Sequence, residues 1–404
     1  MYENVLVPMT LLVLSLLGLV FCLNGLRPTR WTLLLVPSFF SAWLTVELAP
    51  QLLALTAVVT AALIALGALE DVGWWGLLVT LLNMALLGRM ISQAQRAADV
   101  ADEALATWDD ASPAEEHAPS LLRRFFVPMA FSDPEVERTV DVRYGEGPRQ
   151  KLDVYRRTDH PTNCPTLLQV HGGAWVIGDK KEQGRPLMLH LARKGWVCFA
   201  PNYRLAPKGT WPDHLYDVKQ ALVWVKEHGA EYGADPGFIV VTGGSAGGHL
   251  AALLALTPND PQFQPGFEDA DTTVQGCVPY YGVYDIANDM GTKWARDREK
   301  RLFRKIVMKT DERAVYEAAS PLRAASADAP PIFVIHGRND TLAPVEEARE
   351  LVRRLRETST QPVVYLELPG TQHAFDVFPS IRSDHVVRAV GRFCEGLRAR
   401  ALRP

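Results

Sequence analysis

The sequence predicts an α/β domain built on an eight-stranded, mostly parallel sheet, preceded by a separate all-α unit of about four membrane-type helices. Two observations predict the division. Residues 1–88 carry only Glu3, Arg27, Arg30, Glu47, Glu70 and Asp71 as charges, and these fall at the ends of apolar runs. From about residue 135, short apolar runs alternate with stretches of helical periodicity, the pattern of parallel strands joined by crossover helices. A third observation, the glycine-rich break in "FIVVTGGSAGGHLAALLAL" (238–256), marks a sharp strand-to-helix turn around Ser245.

In chain order, the apolar runs are Val5–Leu23, Trp31–Val46, Leu52–Leu69 and Val72–Leu87. A helical span takes roughly 17–25 residues. The first and third runs meet that alone, and the second and fourth reach it with their flanks. Trp31, Trp74 and Trp75 suit the membrane interface. A re-entrant pair formed by the second and third runs is the alternative. The first run lacks the basic start of a signal peptide. Four spans would place Arg27 and Arg30 opposite Arg89 and Arg96, so basic residues do not orient the unit. The expectation is an integral, multi-pass membrane protein with membrane lipid as a partner, organised as 1–90 (transmembrane), 91–134 (amphipathic helix, linker and possible lid) and 135–404 (the α/β domain).

In the middle segment, Ile91, Ala94, Ala98, Ala101 and Leu105 repeat at helical spacing, and "DDASPAEEHAPS" (109–120) reads as a linker. "LLRRFFVPMAF" (121–131) reads equally as a membrane-surface piece, a lid or ordinary packing. Beyond it, strands are expected at 137–143, 151–155, 166–171, 196–200, 238–242, 276–281, 331–336 and 362–368. Helices are expected near 184–194, 213–228, 246–256, 297–308, 344–357 and 384–398. The first two strands flank "GEGPRQ" and read as a hairpin.

The overall charge of -4 and the lack of a basic stripe argue against a nucleic-acid partner. Cys22, Cys164, Cys198, Cys277 and Cys394 are scattered without metal-ligand spacing, and neither a metal nor a cofactor is expected.

Gly243-Gly244-Ser245-Ala246-Gly247 fits G-x-S-x-G, the turn that presents a nucleophilic serine between strand and helix. A phosphate loop is the rival, but neither G-x-G-x-x-G nor GK[ST] spacing is present. "LLQVHGGAWVIGD" (167–179) supplies a glycine loop after a strand. Its backbone N–H groups, with that of Ala246, would face a carbonyl oxygen becoming negative. A serine needs a base. His373, in "LELPGTQHAFD" after the last strand, is placed best among ten histidines. His171 and His249 would shape the glycine loops, His336 precedes the acid, and His385 is helical. Asp340, in "PPIFVIHGRNDTLAP", is the preferred acid over Asp376, which lies close to His373 but off a strand edge.

These motifs, with "APNYRLAP", "YYGVYD", "ASPL", "HGRND" and "GTQHAF", resemble the α/β-hydrolase superfamily, specifically its hormone-sensitive-lipase-like carboxylesterases, over about 135–400. The resemblance implies hydrolysis of hydrophobic carboxylic esters through an acyl-enzyme, with Gly172, Gly173 and Ala246 as oxyanion hole. Many members carry a third glycine where Ala174 stands, followed here by Trp175. The HGGAW form is similar to the branch holding bacterial esterases and prenylcysteine methylesterases. An acyltransferase using the same triad and a non-catalytic membrane-anchored binding protein are the alternative functions. With a histidine base of ordinary pKa near 6.5, activity is expected to rise through neutral pH. Lipid esters would reach Ser245 from the bilayer, past "RLFRKIVM" (301–308) and 121–131.

Overall fold

The computed structural model describes residues 3–113 and 132–403. The linker beyond residue 113 and the possible lid at 121–131 lie outside the described residues.

The eight expected strands all form, as β1 (Val136–Arg143), β2 (Lys151–Arg157), β3 (Cys164–Val170), β4 (Val197–Pro201), β5 (Ala234–Gly244), β6 (Gly276–Tyr280), β7 (Ile332–Gly337) and β8 (Val363–Leu368). They make one sheet in the order β1-β2-β4-β3-β5-β6-β7-β8. β2 is antiparallel to both its neighbours, and every pairing from β4 to β8 is parallel. The central strands β3 to β7 are buried along their length apart from the start of β5. That is why they read as continuous apolar runs rather than alternating ones. Parallel strands need crossovers, and these carry helices on both faces. A sheet of this order brings the carboxyl ends of β3, β5, β6, β7 and β8 to one rim, where open α/β sheets bind ligands.

The N-terminal helices are α1 (Glu3–Leu26), α2 (Leu35–Glu47), α3 (Ala49–Ala65), α4 (Gly73–Gln95) and α5 (Ala97–Leu105). Four spans are not confirmed. Among the described residues two helical runs, Leu6–Leu26 and Gly73–Leu105, are long and apolar enough to cross a membrane, and α2 with α3 forms a pair bent by 83° that adds at most one more. The physical reason is length. α2 has 13 residues, about 20 Å of helix at 1.5 Å per residue, well short of the ~30 Å hydrocarbon core. An apolar run in the sequence does not reveal where the helix bends.

α1 and α4 run parallel. A methyl at Gly73 would meet Pro8 at 3.3 Å, and one at Gly25 would meet Met90 at 3.0 Å. α3 runs back alongside α4, so Arg27, Arg30, Arg89 and Arg96 share one end of the unit while Glu70 and Asp71 lie at the other. α5 leaves the helical unit altogether. Ala97, Ala101, Ala104, Leu105 and Trp108 are buried in one core with Leu187, Trp196, Ile335 and Phe393 of the α/β domain.

Candidate active site

Ser245 follows β5 directly and precedes the helix α6 (Ala246–Leu256), with φ 59° and ψ −121°. That left-handed conformation is costly for a residue with a side chain and persists only where surroundings enforce it. They do so here. A Cβ at Gly247 would stand 2.1 Å from the Val170 carbonyl oxygen, so only glycine lets β3 and α6 close on the turn. The Ser245 N–H donates to the Tyr280 carbonyl at the end of β6 (3.0 Å). As the first residue of its helix, Ala246 contributes an N–H that needs a partner from outside the helix.

Asp340 and His373 are brought together from the loops after β7 and β8. His373 Nδ1 donates to Asp340 Oδ2 at 2.6 Å, and both side chains are buried. Asp340 Oδ1 accepts from the Leu342 and Ala343 N–H groups, each at 2.8 Å. Burial alone would push the Asp340 carboxyl up, but His373 and His336 beside it hold it well below the usual carboxylate range. An ionised Asp340 fixes the proton on Nδ1 and leaves Nε2 as the basic nitrogen. Asp376 is committed elsewhere, since its Oδ1 accepts from the buried Tyr281 hydroxyl.

Tyr281 joins the serine turn to the histidine. Its ring lies 4.6 Å from that of His373, and a Cβ at Gly244 would meet its hydroxyl at 2.6 Å. Ser245 Oγ itself makes no hydrogen bond to His373 among the described residues. In unliganded sites such bonds are often long and tighten only in the complex.

The glycine loop after β3 departs from expectation in one donor. The Gly172 N–H donates to Gln183 Oε1 at 2.7 Å. The N–H groups of Gly173 and Ala174 meet no acceptor among the described residues. Gly173 sits at φ 114°, and a Cβ there would stand 2.1 Å from the Ile177 carbonyl oxygen. His171 shapes this loop as expected. Its ring stacks on Tyr203 at 4.4 Å, its Nδ1 donates to the Gly172 carbonyl at 2.8 Å, and burial pushes it down to about 4. His249 donates through Nε2 to the Ala319 carbonyl (2.8 Å) and packs edge-on against Trp175.

Several residues that hold the site were not singled out from the sequence. His336 Nε2 donates to the Ala343 carbonyl (2.9 Å) and lies 3.3 Å from Asp340 Oδ2. Gln372 Oε1 accepts from the N–H groups of both Thr341 (2.8 Å) and His373 (2.9 Å), tying the acid loop to the base loop. The N-terminal helices reach the same loops. Phe39 meets His373 edge-on with ring centres 6.3 Å apart. Trp43 donates its indole N–H to the Ala374 carbonyl (2.9 Å). Arg30 donates to the Asp340 carbonyl (2.9 Å), and Asn339 to that of Leu26 (3.0 Å). Glu47, at the end of α2, pairs with Arg382 and accepts from Ser380 (2.7 Å). A motif scan has no signal for such contacts, which join positions some 300 residues apart.

The family model BD-FAE matches residues 152–355, just over half of the chain. The chain belongs to the BD-FAE family. Its matched span opens at β2 and ends in the helix after β7, so it includes Ser245 and Asp340 but stops before His373. Among curated proteins, this BD-FAE chain is similar to the probable carboxylic ester hydrolase LipM of Mycobacterium tuberculosis, 54% identical over 63% of this chain and 60% of that one. It is also similar to the esterase LipQ of the same organism, 45% identical over 63% and 62%. The probable isoprenylcysteine alpha-carbonyl methylesterase ICMEL1 of Oryza sativa subsp. japonica is 32% identical over 56% of this chain and 54% of that one. The alignments thus span about 60% of the length of the first two relatives. Among solved structures, the propionate-bound thermophilic esterase Est2 of Thermogutta terrifontis superposes with a TM-score of 0.51 at 26% identity, over 68% of this chain and 94% of that one.

Proposed function

We propose that the protein is a membrane-bound serine carboxylesterase of the hormone-sensitive-lipase-like branch, acting on hydrophobic carboxylic esters through Ser245, His373 and Asp340. The observation that carries this reading is the Asp340–His373 hydrogen bond of 2.6 Å at the sheet rim where Ser245 occupies its strained turn. The esterase names of the relatives support it.

His373 Nε2 takes the proton of Ser245 Oγ as the oxygen attacks the ester carbonyl. Asp340 stabilises the imidazolium without itself being protonated. The carbonyl oxygen, now negative, is received by the N–H groups of Gly173, Ala174 and Ala246. Gly172 is left out of this set because its N–H is already given to Gln183. The alcohol departs with the proton from His373. Water, deprotonated by the same nitrogen, then cleaves the acyl-enzyme and restores Ser245.

The helical unit is read as three crossings, α1, α3 and α4, with α2 lying against the catalytic loops. In that arrangement all four arginines near the spans lie on the side of the catalytic domain, and the opposite loop holds Glu70 and Asp71. An excess of basic residues marks the cytoplasmic side, so the catalytic domain faces the cytoplasm. Lipid esters of the inner leaflet then lie within reach of the site, next to Phe39 and Trp43. Labelling of Asp71→Cys, and not Arg96→Cys, by a membrane-impermeant maleimide on intact cells is expected; the converse pattern reverses the orientation.

Turnover of p-nitrophenyl esters across acyl lengths, by the full chain in detergent, tests the activity. Turnover by the wild type is expected, falling by about 10⁴ or more in Ser245→Ala. Equal turnover by the variant would overturn the assignment.

A further inference from the structure

With no hydrogen bond from Ser245 Oγ to His373 among the described residues, the spacing of nucleophile and base depends on what stands between their loops. Tyr281, the first residue after β6, stands there and is fully buried. Its ring lies 4.6 Å from that of His373 and 5.6 Å from that of Phe375, and its hydroxyl donates to Asp376 Oδ1. The base loop is thus gripped at His373, Phe375 and Asp376 by one side chain. The same hydroxyl overlies the nucleophile turn. A Cβ at Gly244, the residue before Ser245, would stand 2.6 Å from it.

The backbone of Tyr281 is strained as well. Its φ is 35°, a region that bulky side chains avoid and that persists only where the surroundings enforce it. The Tyr281 N–H donates to the Ile335 carbonyl of β7 at 2.7 Å, just as that of Ser245 donates to the Tyr280 carbonyl of β6 at 3.0 Å. Two strained residues therefore stand on neighbouring strand ends, each locked to the next strand. Burial, and then Asp376, push the Tyr281 phenol well above its ordinary value, so it keeps its proton and acts as donor. Burial pushes the Asp376 carboxyl up, and the bond from Tyr281 opposes that rise.

We infer that Tyr281 is a positioning residue for the reaction: its ring, anchored by the hydroxyl bond to Asp376, holds the His373 imidazole in line with Ser245 Oγ. The inference rests on the reading of Ser245 and His373 as nucleophile and base. Asp376 then has a part in turnover although it is not the acid of the triad. A misplacement of about 1 Å between reacting groups costs on the order of 10²-fold in rate, so a spacer between the two loops governs kcat. Its hydroxyl is spent on Asp376 rather than offered to an ester, so substrate binding does not depend on it.

The test is p-nitrophenyl ester turnover by the full chain in detergent, with melting followed on the same samples. Tyr281→Phe keeps the ring and removes the hydroxyl; its kcat should fall about 10- to 100-fold at unchanged KM. Asp376→Leu should lose as much, and the double variant no more than either single one, because all three cut the same bond. Asp376→Asn keeps an acceptor for the hydroxyl and should recover most of the loss. A merely structural hydroxyl would lower the melting temperature of Tyr281→Phe and leave the kcat of the folded protein at the wild-type value. That result would overturn the proposal, as would losses that multiply in the double variant or equal losses in Asp376→Asn and Asp376→Leu. Failure of the underlying esterase reading shows differently, as wild-type turnover that is absent or that survives Ser245→Ala.

Discussion

The catalytic sheet and the N-terminal helices solve the burial problem in opposite ways. Around the sheet, strands β3 to β7 disappear into two large cores, and the buried polar groups of the site are tied into one network through Asp340, His373 and Gln372. The N-terminal unit instead displays its apolar residues, on its helices and in the turn before α2: Leu33 is 93% exposed, Trp31 76% and Leu6 70%, while its own core gathers a handful of side chains such as Cys22, Val46 and Met90. An apolar surface of this extent marks a membrane or partner contact. The difference teaches where the two regions can be joined. Directed polar bonds cross their seam, from Arg30 and Trp43 to the loops that carry Asp340 and His373, and from Glu47 to Arg382 at the start of the last helix. The N-terminal unit is therefore built onto the candidate site rather than hung from it.

The strongest way to separate the regions is to remove the chemistry and leave the fold. Ser245→Ala should lower kcat by about 10⁴ or more with no loss in thermal stability, since relief of the strained turn and loss of one hydroxyl are small terms. Acid should act on the sheet domain next. Burial holds His171, His190 and His249 down to about 4, and His214 down to about 3. The unfolded chain takes up these protons from about pH 6.5 downward while the folded one does not, so stability present above 6.5 is lost as pH falls toward 4. Each such histidine costs up to about 1.4 kcal/mol per pH unit. Melting of the full chain in detergent should drop steeply between pH 6.5 and 4.5, and a flat profile would contradict the neutral, buried assignment.

The seam itself is sharpened by its ion pair. Glu47 and Arg382 are both about 1% exposed, and breaking a buried pair costs roughly 3–5 kcal/mol because one charge is stranded. Glu47→Ala should lower the melting temperature accordingly, and Glu47→Ala with Arg382→Leu should recover part of it. The smallest effect belongs to Trp43→Phe, which keeps the ring and deletes the N–H bond to Ala374. About 1 kcal/mol of hydrogen bonding is lost, so the melting temperature should fall slightly, and kcat should fall several-fold because the Ala374 carbonyl holds the His373 loop. An unaltered kcat would show the seam to be mechanical only.

The comparison also explains what could be read from the sequence. The strand ends, the Ser245 turn and the Asp340–His373 order were legible because each depends on a few neighbouring residues and a fixed period. Gly172 was misassigned as a free donor because its acceptor, Gln183, lies in a stretch with no pattern of its own. The count of four spans is not confirmed: α2 and α3 form a pair bent by 83°, the re-entrant alternative that the short second run already offered, and composition alone does not choose between the two. His336 was set aside because it precedes the acid in sequence, yet the turn after β7 folds Asp340 back over it.

The central claim is that Ser245 is the nucleophile of the intact chain. Its most direct test is fluorophosphonate labelling of the full-length protein followed by peptide mass mapping. A single adduct on Ser245, lost in His373→Ala, is predicted. An adduct on another residue, or no adduct on folded protein, would contradict the account.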